Sequence, residues 1–79
     1  MSIYYPLYNW LCAQAANNIS APFKQIEAIL GFSLPPSART SPQWWENDQK
    51  HVQCMAWIEA GFETRNLNLG KESVEFVKV

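Results

Sequence analysis

The chain has 79 residues, 48% hydrophobic and 14% aromatic, with six Lys plus Arg against seven Asp plus Glu and a net charge of −1. That length holds a single domain, residues 1–79, with a thin core, because so short a chain buries only about two thirds of its unfolded surface. The apolar content excludes disorder, the scattered charge excludes a strong non-specific hold on nucleic acid, and no run approaches the roughly 20 apolar residues of a membrane span.

The start "MSIYYPLYNWLCAQA" ends in small residues as a leader peptide does. It lacks a basic start, and Pro6 and Asn9 interrupt its apolar stretch, so it reads as part of the domain. Pro6 suits the first turn of a helix, where its missing N–H would be unpaired anyway. Leu7, Trp10, Leu11 and Ala15 recur at helical spacing, and the asparagines at 17 and 18 break the run. Ile19-Ser20 reads as a brief extended piece. Ser20 is placed to cap the next helix, with Pro22 in its first turn, Phe23, Ile26, Ile29 and Leu30 on its apolar face, and Gly31 ending it.

Pro35 and Pro36 force an extended corner, after which a short turn opens at Pro36 or Ser37. Ser41-Pro42 starts a short helix carrying Trp44 and Trp45. The spacing then predicts a longer helix from Asp48 to Ala60, stopped by Gly61. On that wheel His51, Cys54, Met55 and Ile58 face the core, and Gln49, Gln53, Ala56 and Ala60 face out. From Phe62 the period becomes alternating: "FETRNLNL" and "SVEFVKV" form a hairpin around Gly70. The fold class is α+β, a cluster of three to four helices closed by a C-terminal β-hairpin, winged-helix-like.

Cys12, Cys54 and His51 are fewer ligands than a structural zinc site takes, and they lack its spacing, so no metal and no cofactor is expected. Two isolated thiols fit inert, reduced side chains in the cytoplasm. His51 reads as a structural residue, buried or half-buried and bonded to the "WWEND" turn beside Trp44. Its neighbour Asp48 could orient it as a base, but no G-x-S-x-G elbow marks a nucleophile, and the domain is read as non-enzymatic.

The outward face of the last helix supports a different chemistry. Gln49 and Gln53 can pair with adenine edges while alanines allow close approach to the major groove. Arg39, Thr40 and Ser41 in the corner, Lys50 beside the helix and Lys71 in the hairpin turn can meet phosphates. Double-stranded DNA is therefore the first expected partner, bound by the domain alone or as a homodimer. The alternative is a protein-interaction module, such as a phage- or plasmid-encoded inhibitor, docking through an exposed Trp45 or Trp57.

Residues 26–63 also carry a set of short motifs: Leu30-Gly31, Leu34-Pro35 with Ser37-Ala38, Trp44-Trp45, Asn47, His51 with Gln53, and Ala56-Trp57 with Ala60-Gly61. With the Tyr5-Pro6-Leu7 start and the closing strands, this pattern resembles an uncharacterised bacterial family of small domains. Its members stand alone or are fused to nuclease-like or phage-defence domains. The resemblance implies a DNA-binding or defence-related accessory role. Where members carry basic residues beside the Ser-Ala-Arg corner, this chain has Thr40 and Gln43.

Overall fold

The structure, a computed structural model, describes residues 2–79. Helix α1 spans Tyr5–Cys12, with Pro6 in its first turn and Leu7 and Leu11, one helical turn apart, buried. It stops before Ala15 because the Gln14 side chain donates to the Trp10 carbonyl (2.9 Å), satisfying the last turn locally.

Strand β1, Asn18–Pro22, follows. It absorbs Ser20, which pairs with Glu75 rather than capping a helix. Strand pairing satisfies both backbone groups of a residue, and a serine cap only one orphan N–H of a helix. Helix α2, Phe23–Leu30, starts one residue after Pro22 and buries Phe23, Ile26 and Leu30. It ends on Gly31 at φ 83°, a left-handed conformation that glycine adopts without steric cost.

The proline corner leads into α3, Pro36–Thr40, and a single 3-10 turn, Pro42–Trp45. Helix α4 is only Cys54–Ile58, not the run from Asp48 to Ala60 that periodicity predicts. Residues 48–53 form turns instead. Asp48 accepts the Lys50 N–H (2.9 Å), a side-chain bond that competes with helix formation. The hairpin consists of β2, Phe62–Asn68, and β3, Ser73–Lys78. It carries a register shift between Arg65 and Asn68, where Asn66 adopts φ 50°. In its turn the left-handed residue is Glu72 (φ 51°) rather than Gly70.

The three strands form one antiparallel sheet in the order β1-β3-β2, so the early extended piece becomes the hairpin's third strand. Four helices pack with this sheet around the aromatic core. Among the described residues no helix is long and apolar enough to cross a membrane.

Candidate functional site: a tyrosine-lined groove beside an indole core

The paired tryptophans organise the core. Phe23, Trp45, Trp57 and Phe76 form a ladder of rings with successive centroids 4.8, 5.9 and 5.9 Å apart, the first two contacts stacked. Trp44 meets Trp45 edge-on at 4.6 Å and Tyr4 at 5.9 Å, which makes it the ladder's outer, half-buried lid. The Trp45 indole donates to the Ala38 carbonyl (2.7 Å) and the Trp57 indole to Asn47 Oδ1 (3.0 Å). An expected partner-docking role for Trp45 or Trp57 is therefore corrected: they are 2% and 0% exposed. Adjacent residues of a tight turn do diverge, but Trp45 is the plug, and the shortened α4 turns Trp57 inward.

Asn47 closes this core. Its Oδ1 accepts from the Trp57 indole and the Thr64 N–H (2.8 Å), while its Nδ2 donates to the Thr64 carbonyl (3.1 Å). The Thr64 hydroxyl lies 3.1 Å from Asn47 Oδ1 and donates its one proton to the nearer Trp45 carbonyl (2.5 Å). One side-chain amide thus takes the place of a neighbouring strand at the outer edge of β2. This hub explains why residues 46–49 do not join α4: Asn47 is anchored to the sheet.

The expected nucleic-acid face is not assembled in that form. Gln53, placed outward by the wheel, is 7% exposed and donates through Nε2 to the Trp44 carbonyl (3.1 Å). Ala56, expected outside, is buried as well. Both corrections have one cause: with no helix before Cys54, the wheel's phase does not extend to Gln53, and α4 settles with Ala56 inward. Gln49 and Lys50 are exposed, on turns rather than on a helix.

Arg39 binds Glu27 Oε2 through Nη2 (3.0 Å) and Glu72 Oε2 through Nε (2.8 Å), tying α2 and the hairpin turn to α3. Glu27 also accepts the Leu34 N–H (2.7 Å). That backbone bond, with Arg39 beside it, holds the Glu27 carboxyl below its ordinary range. Arg39 is thus a structural cation, with its fork directed at two carboxylates. Thr40 donates to the Pro36 carbonyl and Ser41 to Gln43 Oε1, both within their own turns. Arg65 pairs with Glu63. Lys71 is exposed in the hairpin turn and, like Lys24 and Lys50, forms no ion pair among the described residues.

His51 is exposed, contrary to the buried structural role expected of it. Only its backbone bonds inside the turn: its N–H donates to the Asp48 carbonyl and its own carbonyl accepts the Cys54 N–H. The missing helical turn explains this, because His51 shares no face with Cys54. His51→Ala should accordingly change stability by no more than about 0.5 kcal/mol, read from a urea melt. A loss of 1–3 kcal/mol, the usual cost of a broken buried polar contact, would contradict the exposed position.

The thiols also differ from each other. Cys54 is buried, and desolvation pushes its thiol above the ordinary value, while Cys12 is exposed. In the native protein Cys12 should react promptly with an aromatic disulfide and Cys54 only after unfolding, as mass spectrometry of the labelled sites will report. Equal native rates would show Cys54 to be accessible. Among the described residues no group of three or more His, Cys, Asp or Glu could hold a metal ion.

A concavity lies elsewhere, between α1 and α4. It encloses about 410 Å³ and is lined by Tyr4, Tyr5, Tyr8, Val52, Met55 and Glu59, with Ser2 and Ala56 completing the wall. The Tyr5 and Tyr8 rings stack at 5.6 Å and 25°. The Tyr8 hydroxyl is held above its usual range, chiefly by the neighbouring Cys12 thiol, with the Glu59 carboxylate adding a smaller push. Val52 is 59% exposed and Tyr5 37%. The sequence carried a signal for this groove: tyrosines at 4, 5 and 8 stand at the i, i+3 and i+4 spacings that share a helix face, more aromatic surface than α1 can bury.

Helices on an antiparallel sheet around an indole core, with a tyrosine-lined groove between α1 and α4, define a small α+β domain. The chain belongs to the family described as "Domain of unknown function (DUF7662)", whose model matches residues 4–79. No curated protein and no solved structure matches it.

Proposed function

We propose that the domain is a non-enzymatic protein-interaction module that holds a short segment of a partner protein in the groove between α1 and α4. The groove itself carries this reading. Tyrosine and methionine are the side chains enriched where proteins meet, because they offer large contact area with adaptable geometry. A volume of about 410 Å³ lies in the range of ligand clefts, roughly 300–1,000 Å³, and suits a few side chains rather than a whole domain face. Val52 and Tyr5, two of the large apolar side chains left exposed, both lie on it.

A second reading rests on the chain order of the elements. Helices followed by a hairpin whose last strand pairs with an early strand support a winged-helix-like domain, with Lys71 in the wing and Thr40, Gln49 and Lys50 exposed for duplex DNA. It ranks second because Arg39 and Arg65 are engaged by carboxylates and Gln53 is buried. In either reading the domain acts in the cytoplasm, and a bacterial accessory role in phage defence suits both.

Selection from a displayed library of random short peptides tests the first reading. Selected peptides should shift the NMR signals of Tyr5, Tyr8, Val52 and Met55, and Val52→Glu should weaken them at least about tenfold. No selected binder, or binders mapping elsewhere, would overturn it. Saturable shifts at Thr40 and Lys71 with a mixed-sequence duplex at low salt would promote the second reading. Self-association abolished by Val52→Glu would make the partner another copy of this chain.

A further inference from the structure

We infer that the anchor of the partner segment is an arginine side chain, its guanidinium laid on the Tyr5–Tyr8 pair and forked to the Glu59 carboxylate. This inference rests on the docking reading above. Glu59 is the charged group lining the groove, and among the described residues it forms no ion pair. Glu27, Glu72 and Glu63 each have an arginine partner, and Glu75 accepts from Asn66 (2.8 Å). A carboxylate among tyrosine rings, with no cation lining the same groove among the described residues, is complementary to a positive group brought from outside.

The geometry selects among cations. Aromatic faces attract a cation through their quadrupole, and arginine exploits this more often than lysine. The guanidinium is flat, weakly hydrated and presents a fork of donors, so it stacks on a ring and meets a carboxylate with two N–H groups at once. Lysine offers a strongly hydrated point charge with neither property. The three-carbon arginine stem can lie along Val52 and Met55, burying apolar surface while the head reaches Glu59. Tyr5 and Tyr8 stack at 25° on the groove wall, and Tyr5, 37% exposed, leaves ring surface open to the head. Glu59 lines the same groove as Tyr5 and Tyr8, so a side chain seated there meets the carboxylate and the rings together.

The test titrates the whole domain with Nα-acetyl-arginine methylamide and follows the Tyr5, Tyr8 and Met55 signals by NMR. The citrulline analogue has the same shape without the charge, and the lysine analogue has the charge without the plane. Arginine should give saturable shifts at those residues, with citrulline and lysine at least about tenfold weaker, a difference of 1.4 kcal/mol. Glu59→Gln, at an exposed position, should erase the preference over citrulline and leave the spectrum otherwise native. Equal binding of arginine and citrulline, equal binding of arginine and lysine, or indifference to Glu59→Gln would each overturn the inference. Library peptides that occupy the groove without arginine would do the same and leave the docking reading standing. No occupant of any kind would sink both.

Discussion

Trp57→Ala should remove about 3–5 kcal/mol of stability, a large share of what holds the domain folded. The side chain is 0% exposed, stacks on Trp45, meets Phe76 at a tilt and donates its indole N–H to Asn47. Truncating a buried Trp typically costs about 3–5 kcal/mol through lost transfer energy and the cavity left behind. A domain of this size is stabilised by only about 4–12 kcal/mol, at roughly 0.05–0.15 kcal/mol per residue. Losing its central ring also frees Trp45, whose other face contacts only Phe23 in the ladder. Trp57→Phe keeps most of the ring but not the donor, and should cost about 1–2 kcal/mol. Circular dichroism and urea melts of both variants check this; a cooperative, near-native melt for the alanine variant would show that the ladder is not the centre of stability.

Asn47→Ala should cost about 2–4 kcal/mol, a large effect for a residue on the surface. Its amide meets the Trp57 indole, the Thr64 hydroxyl and both backbone groups of Thr64, with Thr64 8% exposed. Alanine takes away the partner of the buried Trp57 indole N–H and of both Thr64 backbone groups, and an unsatisfied buried donor or acceptor costs about 1–3 kcal/mol. The effects do not simply add, because the four contacts form one network. Asn47→Asp separates them: its carboxylate still accepts from the indole and from Thr64, but it sets a negative oxygen against the Thr64 carbonyl. The aspartate variant should therefore lose less than the alanine variant. Urea melts of the two decide it, and a loss for Asn47→Ala within about 0.5 kcal/mol would reduce the hub to an incidental surface contact.

The groove and the hub differ in how they could have been read. Tyr4, Tyr5 and Tyr8 stand at helical spacing, but a helix start read at Pro6 leaves the first two ahead of it; α1 begins at Tyr5 and so brings Tyr5 and Tyr8 together. The groove's opposite wall was half visible, because Val52, Met55 and Glu59 stand at i, i+3 and i+7, but which element that face meets is decided only by packing. The turned path from Asp48 to Gln53 was not visible, because it goes with Asn47 bonding Thr64, a contact spanning 17 residues. Periodicity counts neighbours along the chain and has no term for such a bond.

From its residues alone the chain determined a helix started by Pro6, another ended by Gly31, the tight turn after Ser41-Pro42, a hairpin after Phe62 and a mixed α+β domain. Each of these depends on local backbone preference or on apolar spacing within one element, which the nearest residues decide. The tertiary structure decided the rest. It made Ser20 a strand residue by pairing β1 with β3, cut α4 to Cys54–Ile58, and turned Gln53 and Trp57 inward and His51 outward. It also joined Arg39 to Glu27 and Glu72 across the fold, which left Lys71 but not Arg39 free. In a core this thin, one distant hydrogen-bond network or ion pair outweighs the few tenths of a kcal/mol by which neighbouring residues prefer one conformation.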